Sequence, residues 1–187
     1  MRLGPTDTLS RSDEEILTLF ALSGEADHFR AVVKRFSARM YSVSFALLGK
    51  TDEAEDAVQE ALLKIHRARR YYQNHLRAAP WIFTILRNHC LDCLRKRKRC
   101  PESRLELFEP STEETPLRLL EQGEQARLIS EGFNALAPLD REILTLRLIE
   151  EMDFAGIAAC CGLSLEATKK RAYRAMEILR AALTGQI

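Results

Sequence analysis

One histidine and three cysteines lie close together in the segment HCLDCLRKRKRC, at His89, Cys90, Cys93 and Cys100. Imidazole and thiolate are ligands that zinc prefers, so a metal site or a thiol sensor is one interpretation of this segment. A structural zinc ion needs four ligands in a tetrahedral array, and Cys90 and Cys93 on one continuous apolar helix cannot easily converge with His89. Free cysteine is commonly a small buried apolar residue. We therefore expect packing here, with no metal and no cofactor.

The charged side chains offer a second kind of chemistry, because they are sorted into separate patches. Five carboxylates lie within residues 52–60, at Asp52, Glu53, Glu55, Asp56 and Glu60. Residues 95–99, RKRKR, are all cationic. The chain has 28 Lys and Arg against 27 Asp and Glu, so its net charge of +1 hides these patches and predicts no partner by itself. Two patches of opposite sign fit two different partners.

The composition limits the class of protein. The 187 residues are 46% hydrophobic and 29% charged, which is ordinary for a globular chain with one medium domain or two small ones. Only 8 glycines, 6 prolines and 7% aromatic residues favour helices over sheets. No apolar run reaches the length of a membrane span and residues 1–15 lack a signal-peptide core, so we expect a cytoplasmic protein with reduced cysteines. No nucleophile stands at a recognisable spacing from an acid or base, which predicts no enzyme.

Local signals place the first two helices. Ser12 is the expected N-cap of a helix over residues 12–21, because the three acidic residues that follow it suit the positive end of the helix dipole. Apolar residues at three-four spacing over residues 29–47 predict the second helix, and Gly49 ends it.

Two more helices follow in the first half of the chain. Asp52, with Glu55 three residues later, predicts the capped start of the third helix. The apolar stripe of this helix leaves its acidic side chains on the opposite face. Residues 71–79 are expected to form a loop. Pro80 fits the first turn of a fourth helix, which is apolar over a wide arc and ends in RKRKR.

A change in composition divides the chain. Residues 101–116 are rich in Pro, Glu, Ser and Thr, which is typical of a linker. Beyond it we expect a second helical unit from about residue 117, with one helix over residues 140–150. The prediction is an all-α fold of two small helical domains joined by a flexible linker. The boundaries are 1–24 for an N-terminal extension, 25–100 for the first domain, 101–118 for the linker and 119–187 for the second domain.

The end of the chain has a helix-turn-helix pattern. Asp153 is expected to cap a short helix, FAGIAACC, whose cysteines pack, and Gly162 ends it. Ser164 then caps a longer helix over residues 165–183. The core-facing residues of that helix are expected to be Ala167, Ala172, Ala175, Met176 and Leu179. Its cations, Lys169, Lys170, Arg171 and Arg174, stay outside. Such a helix fits the DNA major groove, and the alternative is a basic helix face that has only solvent as its partner.

Three segments in a fixed order carry a family resemblance. They are AEDAVQE at Ala54–Glu60, the pattern W…RN…D…LR at Trp81–Arg95, and LAPLDREIL…IAACCGLSLEATKKRAYRAMEILR near the C-terminus. With the linker between them, they resemble the extracytoplasmic-function (ECF) group of bacterial RNA polymerase sigma factors. The resemblance covers residues 29–183. It implies that the first domain binds core polymerase and opens the promoter at its downstream element, while the second domain reads the upstream element.

The resemblance also implies which residues do this work. For core polymerase they are Asp52, Glu55, Asp56, Gln59, Glu60 and Leu63. For the downstream element and DNA melting they are Tyr71, Tyr72, Asn74, Trp81, Arg87, Asn88, Arg95, Lys96 and Arg97, with a core position for Trp81 as an equal alternative. For the upstream element they are Glu166, Thr168, Lys169, Lys170, Arg171 and Arg174. An anti-sigma factor is implied as a further partner.

The chain departs from the family pattern at the start of the recognition helix, at His66, where many members have an aromatic residue, and in its N-terminal twenty-odd residues, and other functions stay open. At the start of the recognition helix the family usually has a glycine and a β-branched pair, where this chain has Glu166, Ala167 and Thr168, so the preferred promoter sequence is undetermined. A stand-alone helix-turn-helix regulator that binds its operator as a dimer is the second hypothesis, and it leaves the acidic helix without a role. A metal or thiol sensor is the third.

Overall fold

The fold is built from helices throughout the part of the chain that the structure describes. This computed structural model describes residues 11–73, 76–99 and 132–183. The helices are α1 Asp13–Ser23, α2 Ala26–Leu48, α3 Thr51–Ala68, α4 Ala78–Arg99, α5 Pro138–Leu148, α6 Phe154–Cys161 and α7 Leu165–Leu183, with a 3-10 turn at Arg69–Tyr71. Residues 132–135 are also helical, and no strand occurs in the described ranges. The predicted all-α fold is confirmed, whereas the predicted linker lies outside the described residues.

The ends of the first helices follow from local chemistry. Ser12 Oγ accepts a hydrogen bond from the backbone N–H of Glu15 over 3.2 Å, and the Glu15 carboxylate accepts one from the Ser12 N–H over 2.8 Å. This reciprocal pair is a complete capping box, so Ser12 is confirmed as the N-cap of α1. Gly24 and Gly49 end α1 and α2 at φ values of +66° and +74°, a conformation that costs glycine little.

The start of the third helix corrects the sequence prediction. Helix α3 begins at Thr51 with Lys50 as its N-cap residue, and no side chain caps it. Asp52, predicted as the cap, instead lies in the first turn with Glu53. Carboxylates are favoured both at N-caps and throughout the first turn, because the helix dipole attracts negative charge there. The acidic composition therefore identified the helix start without fixing the capping residue.

The first domain packs α1 to α4 around large apolar side chains. Phe20 of α1, Phe36 of α2 and Phe83 of α4 are all fully buried. His66 of α3 completes an aromatic group, with its ring centroid 5.6 Å from that of Phe20 and 5.0 Å from that of Phe29. Helix α1 thus belongs to the core of this domain, although the sequence assigned it to an extension.

The second domain has the predicted helix-turn-helix. Asp153 caps α6 by accepting a hydrogen bond from the Gly156 N–H over 2.8 Å, and Ser164 accepts one from the Ala167 N–H over 3.2 Å. Gly162, at φ +65°, makes the turn between α6 and α7. Helix α5 begins at Pro138, two residues before the predicted start, because proline is well accommodated in the first turn of a helix.

The two domains are docked against each other. Helix α5 packs on α2, and α6 packs on α4. Buried residues of both domains, among them Leu86 and Ile157, belong to one continuous apolar cluster. The approach is close at Gly156, where an added Cβ would lie 3.2 Å from Pro80 Cγ. None of the helices described is long and apolar enough to cross a membrane.

Candidate protein and nucleic-acid interfaces

The solvent side of α3 forms an acidic surface. It consists of six exposed residues, Asp52, Glu55, Asp56, Gln59, Glu60 and Leu63. The opposite side of the helix is buried at Ala54, Ala57, Val58, Ala61 and Ile65. The spacing of these alanines and β-branched residues fixes the orientation of α3, because they are the residues small and apolar enough to pack on α2 and α4. The helix therefore presents its carboxylates together to any partner.

The C-terminal turns of α4 form a basic end, residues 95–99. Arg95, Lys96, Lys98 and Arg99 are exposed. Arg97 is half-buried, and its guanidinium lies 3.4 Å from a Glu53 carboxylate oxygen. Arg95 donates to Asp92 over 2.9 Å, a surface pair of small energetic weight. The basic end can attract phosphate, with Arg97 as the cation most engaged within the fold.

Two consecutive tyrosines before α4 have different environments. Tyr71 is 79% exposed. Tyr72 is buried, its ring centroid lies 5.3 Å from that of Trp81, and its hydroxyl donates to the Leu76 carbonyl over 2.7 Å. The prediction that Tyr72 contacts DNA is therefore corrected, because its ring and hydroxyl support the loop. Half-buried Trp81 shares that packing, whereas Asn74 lies outside the described residues.

Among the described residues, three ion pairs cross between the domains, each with an arginine on the first domain and a carboxylate on the second. They are Arg39–Glu150 at 2.6 Å, Arg77–Asp153 at 2.8 Å and Arg87–Glu142 at 2.8 Å. The Arg87 side chain is 13% exposed, so the docked arrangement withholds this predicted DNA contact from solvent. Its neighbour Asn88 is exposed.

The carboxylates of Glu142 and Glu150 are both almost fully buried, with side-chain exposures of 1% and 0%. Burial raises the pKa of Glu142 to about 7, against the lowering effect of Arg87. Burial likewise raises the pKa of Glu150, which Arg39 opposes. Both carboxylates are thus placed where the charged form is costly and an arginine only partly offsets the cost.

The outer side of α7 is mostly as predicted, with two corrections. Glu166, Lys170 and Arg174 are exposed, and Lys169 and Arg171 are half-buried. Thr168, predicted to contact DNA, is fully buried and its hydroxyl donates to the Ser164 carbonyl over 3.0 Å. Met176, predicted to face the core, is exposed. Threonine fits the first turn of a helix by bonding back to the cap residue, which explains its inward position.

Comparison with known proteins shows which family the chain belongs to. Residues 32–100 match the family described as Sigma-70 region 2, and residues 126–179 match Sigma-70, region 4. The ECF RNA polymerase sigma factor EcfG of Rhodopseudomonas palustris (strain TIE-1) is 33% identical over 151 residues, which cover 79% of this chain and 79% of that protein. The chain belongs to the ECF RNA polymerase sigma factors.

Other relatives agree. The ECF sigma factor SigW of Bacillus subtilis (strain 168) is 24% identical over 169 residues, covering 84% of this chain and 89% of that protein. The sigma factor RpoE of Bartonella quintana, solved in complex with the anti-sigma factor NepR, matches with a TM-score of 0.72 and 26% identity, covering 83% and 96% of the two chains. CnrH, solved with the cytosolic domain of CnrY, shares the fold at a TM-score of 0.67, 22% identity and coverage of 94% and 100%.

Family membership settles the class of function. The protein is an alternative sigma factor for promoter-specific initiation of transcription. Family membership therefore favours a sigma factor over the second hypothesis, a stand-alone regulator that binds an operator. The two matched regions fall on the two docked helical domains of this sigma factor, region 2 on α2–α4 and region 4 on α5–α7.

The sequence did not reveal several residues that shape these interfaces. Tyr173 is exposed on the outer side of α7, between Lys170 and Arg174. Tyr173 follows Lys170 by three residues, and this spacing could have placed it on the same side of the helix. Asp140, Glu142 and Glu150 pair with arginines distant in sequence, and no local pattern identifies such partners.

The cysteines that the structure describes lie in buried or half-buried positions. Cys90, Cys160 and Cys161 are buried, and burial raises the pKa of Cys90 to about 12. Within the described ranges, no three side chains of the metal-ligating types lie close enough to hold a metal ion. Lys64 Nζ lies 2.9 Å from His89 Nδ1, and Cys93 Sγ lies 3.6 Å from His89 Nε2. Both ring nitrogens of His89 therefore have protein neighbours. Cys100 lies outside the described residues.

Proposed function

We propose that the sigma factor joins core polymerase to promoter DNA through three separate surfaces. The acidic surface of α3 contacts core polymerase, the basic end of α4 with Tyr71 and Asn88 acts at the downstream element, and the outer side of α7 reads the upstream element. The observation that supports this division is the exposure of the acidic and basic side chains on different helices. Each surface is complementary to a partner of opposite charge.

The carboxylates of α3 suit a basic protein surface better than they suit DNA. Like charges would repel a polyanion at this face, whereas the exposed Leu63 adds apolar contact area beside Glu60. At the basic end, cations bind the phosphate backbone with little regard to sequence. Tyr71, with its ring in solvent, can stack on an unpaired base when the strands separate.

Arg87 requires a further condition. In the docked arrangement it faces Glu142, so we propose that Arg87 meets DNA only in a form in which the domains have moved apart. The sigma factor acts in the cytoplasm without catalysing a reaction of its own. An anti-sigma factor is a further proposed partner, because the relative RpoE was solved in complex with one.

The decisive experiment reverses charge on the acidic surface. Asp56→Lys combined with Glu60→Lys is expected to abolish co-elution with core polymerase and run-off transcription, because the surface then repels a basic partner. The circular dichroism spectrum stays unchanged, since both residues are exposed. The matched control is Glu25→Lys with Asp27→Lys, which makes the same charge change near the start of α2 and is expected to leave co-elution intact. Wild-type affinity in the α3 variant would contradict the proposal.

A further inference from the structure

Two arginines of α7 share one buried carboxylate of α5. Arg171 Nη1 donates to Asp140 Oδ1 over 2.8 Å, and Arg174 Nη2 donates to Asp140 Oδ2 over 2.8 Å. The Asp140 side chain is 3% exposed. It lies in the first turn of α5, where the helix dipole also favours its negative charge. Each carboxylate oxygen therefore holds one guanidinium in a definite direction.

The two arginines remain open to a ligand. Their side chains are 38% and 61% exposed, respectively, in contrast to the carboxylate beneath them. A guanidinium has five N–H donors, and the bond to Asp140 uses one from each arginine. Because Arg171 and Arg174 are three residues apart, they lie on the same side of the helix. Both arginines can donate to Asp140 and still have N–H groups left to donate to a phosphate or a base edge.

We propose that Asp140 is a positioning residue that orders Arg171 and Arg174 for recognition of the upstream element, an inference that rests on the proposed function of α7. An arginine that is already held loses less rotamer freedom when it binds DNA. Its contact with a correctly placed base therefore contributes more to the binding free energy. The carboxylate also partly neutralises the two cations, which weakens attraction to phosphate on any sequence. Asp140 therefore favours the right sequence over the wrong one without touching DNA.

The test compares Asp140→Asn with wild type as the holoenzyme, formed from core polymerase and the full chain. One probe duplex carries an upstream element that the wild-type holoenzyme selects from a random library, and the other carries the same bases scrambled. The ratio of the two affinities is expected to fall by about tenfold, the scale of one good base contact. The salt dependence of binding to the scrambled duplex becomes steeper, because released arginines reach more phosphates.

The control for net charge is Asp27→Asn. It removes one carboxylate from the exposed pair with Arg30 on α2 and is expected to leave the affinity ratio at the wild-type value. A double-mutant cycle separates positioning from a structural role. In an Arg171→Gln, Arg174→Gln background, Asp140→Asn is expected to cause no further loss of discrimination, because the side chains it positions are gone.

The outcomes are distinct. If Asp140→Asn does not give folded protein, Asp140→Glu keeps the charge and displaces both guanidinium groups, and the ratio still falls while the salt dependence stays at the wild-type slope. If the ratio of the two affinities is unchanged in either folded variant, the inference is overturned. A further loss of discrimination in the Arg171→Gln, Arg174→Gln background overturns it as well. A wild-type holoenzyme that selects no upstream element overturns the proposed function of α7, and the inference with it.

Discussion

Arg87 Nε lies 2.8 Å from Glu142 Oε1, and this ion pair joins α4 of the first domain to α5 of the second. The Glu142 side chain is 1% exposed. Although the two atoms are at ion-pair distance, their alignment does not make a hydrogen bond of good geometry, so the contact is mainly electrostatic. Arg87, which the sequence predicted to contact DNA, is thus paired with a buried carboxylate between the domains. The protonation of Glu142 therefore affects how firmly the domains dock.

Domain docking is expected to weaken as pH rises. The pKa of Glu142 is raised to about 7 by burial, above its ordinary value, so the docked form holds a proton that the separated domains release. The stabilisation of the docked form by protonated Glu142 is fully present below about pH 4.3, the ordinary glutamate pKa, and is lost as pH rises to about 7. The loss is about 4 kcal/mol at most. Small-angle scattering between pH 4.5 and about 8 is expected to show an increasing radius of gyration.

Two variants isolate the cause of this pH dependence. Glu142→Gln resembles the protonated acid, so its radius of gyration is expected to stay small and change little over the same range. Arg87→Met removes the cation that offsets the burial of Glu142, and it is expected to expand at a lower pH than wild type does. If Glu142→Gln responds to pH as wild type does, another group controls docking, with Glu150 next to be tested because its pKa is also raised by burial.

Tyr71 and Tyr72 are expected to give opposite phenotypes. Tyr71→Ala removes a ring in solvent, so stability is unchanged while promoter opening, measured by permanganate reactivity of unpaired thymines, falls several-fold. Tyr72→Ala removes a buried ring packed on Trp81 and is expected to lower the free energy of unfolding by about 3–5 kcal/mol. Tyr71→Phe is the control for the hydroxyl and keeps the stacking surface. Normal opening by Tyr71→Ala would exclude it from the melting surface.

The buried cysteines are expected to resist alkylation in the native protein. Burial raises the pKa of Cys90 to about 12, so its thiolate is scarce at neutral pH, and its side chain is out of reach of reagent. Mass spectrometry after iodoacetamide treatment is expected to show Cys90, Cys160 and Cys161 unmodified in buffer and modified in urea. Rapid native modification of Cys90 would instead favour the thiol-sensor hypothesis.

Asp13 is expected to stabilise the first domain through two arginines. It accepts from Arg35 Nε over 2.7 Å and from Arg39 Nη1 over 2.6 Å. Burial opposes its ionisation, but the hydrogen bonds from Arg39 and Arg35 outweigh burial and lower the pKa of Asp13. Its stabilising effect is therefore present above about pH 4 and is lost as pH falls through the lowered value.

Urea unfolding measures this effect. Asp13→Asn is expected to cost about 1–3 kcal/mol at neutral pH, the scale of charge-assisted hydrogen bonds, and less in acid, where the pH falls through the lowered pKa and the wild-type carboxyl group becomes protonated. The exposed pair of Asp27 and Arg30 supplies the comparison, and Asp27→Asn is expected to cost less than about 1 kcal/mol. Equal losses from the two substitutions would show that partial burial adds nothing to the Asp13 pairs.

Much of the local structure could be predicted from sequence. The caps at Ser12, Asp153 and Ser164 and the turn at Gly162 are encoded within three or four residues, because helix ends are satisfied by neighbours in the chain. The exposed carboxylates of α3 follow from the period of its apolar stripe. Where two local solutions compete, as at Asp52, the sequence gives the helix start to within a residue or two.

By itself, then, the sequence determined the described helices, the caps at Ser12, Asp153 and Ser164, and which faces of α3 and α7 carry charge. Only the tertiary structure decided which charged side chains are free. Arg87 is held by Glu142, while Arg171 and Arg174 are held by Asp140, and Thr168 is turned inward. An ion pair depends on the distance between two groups in space and on their removal from water, and helices separated in the chain set both only when they pack.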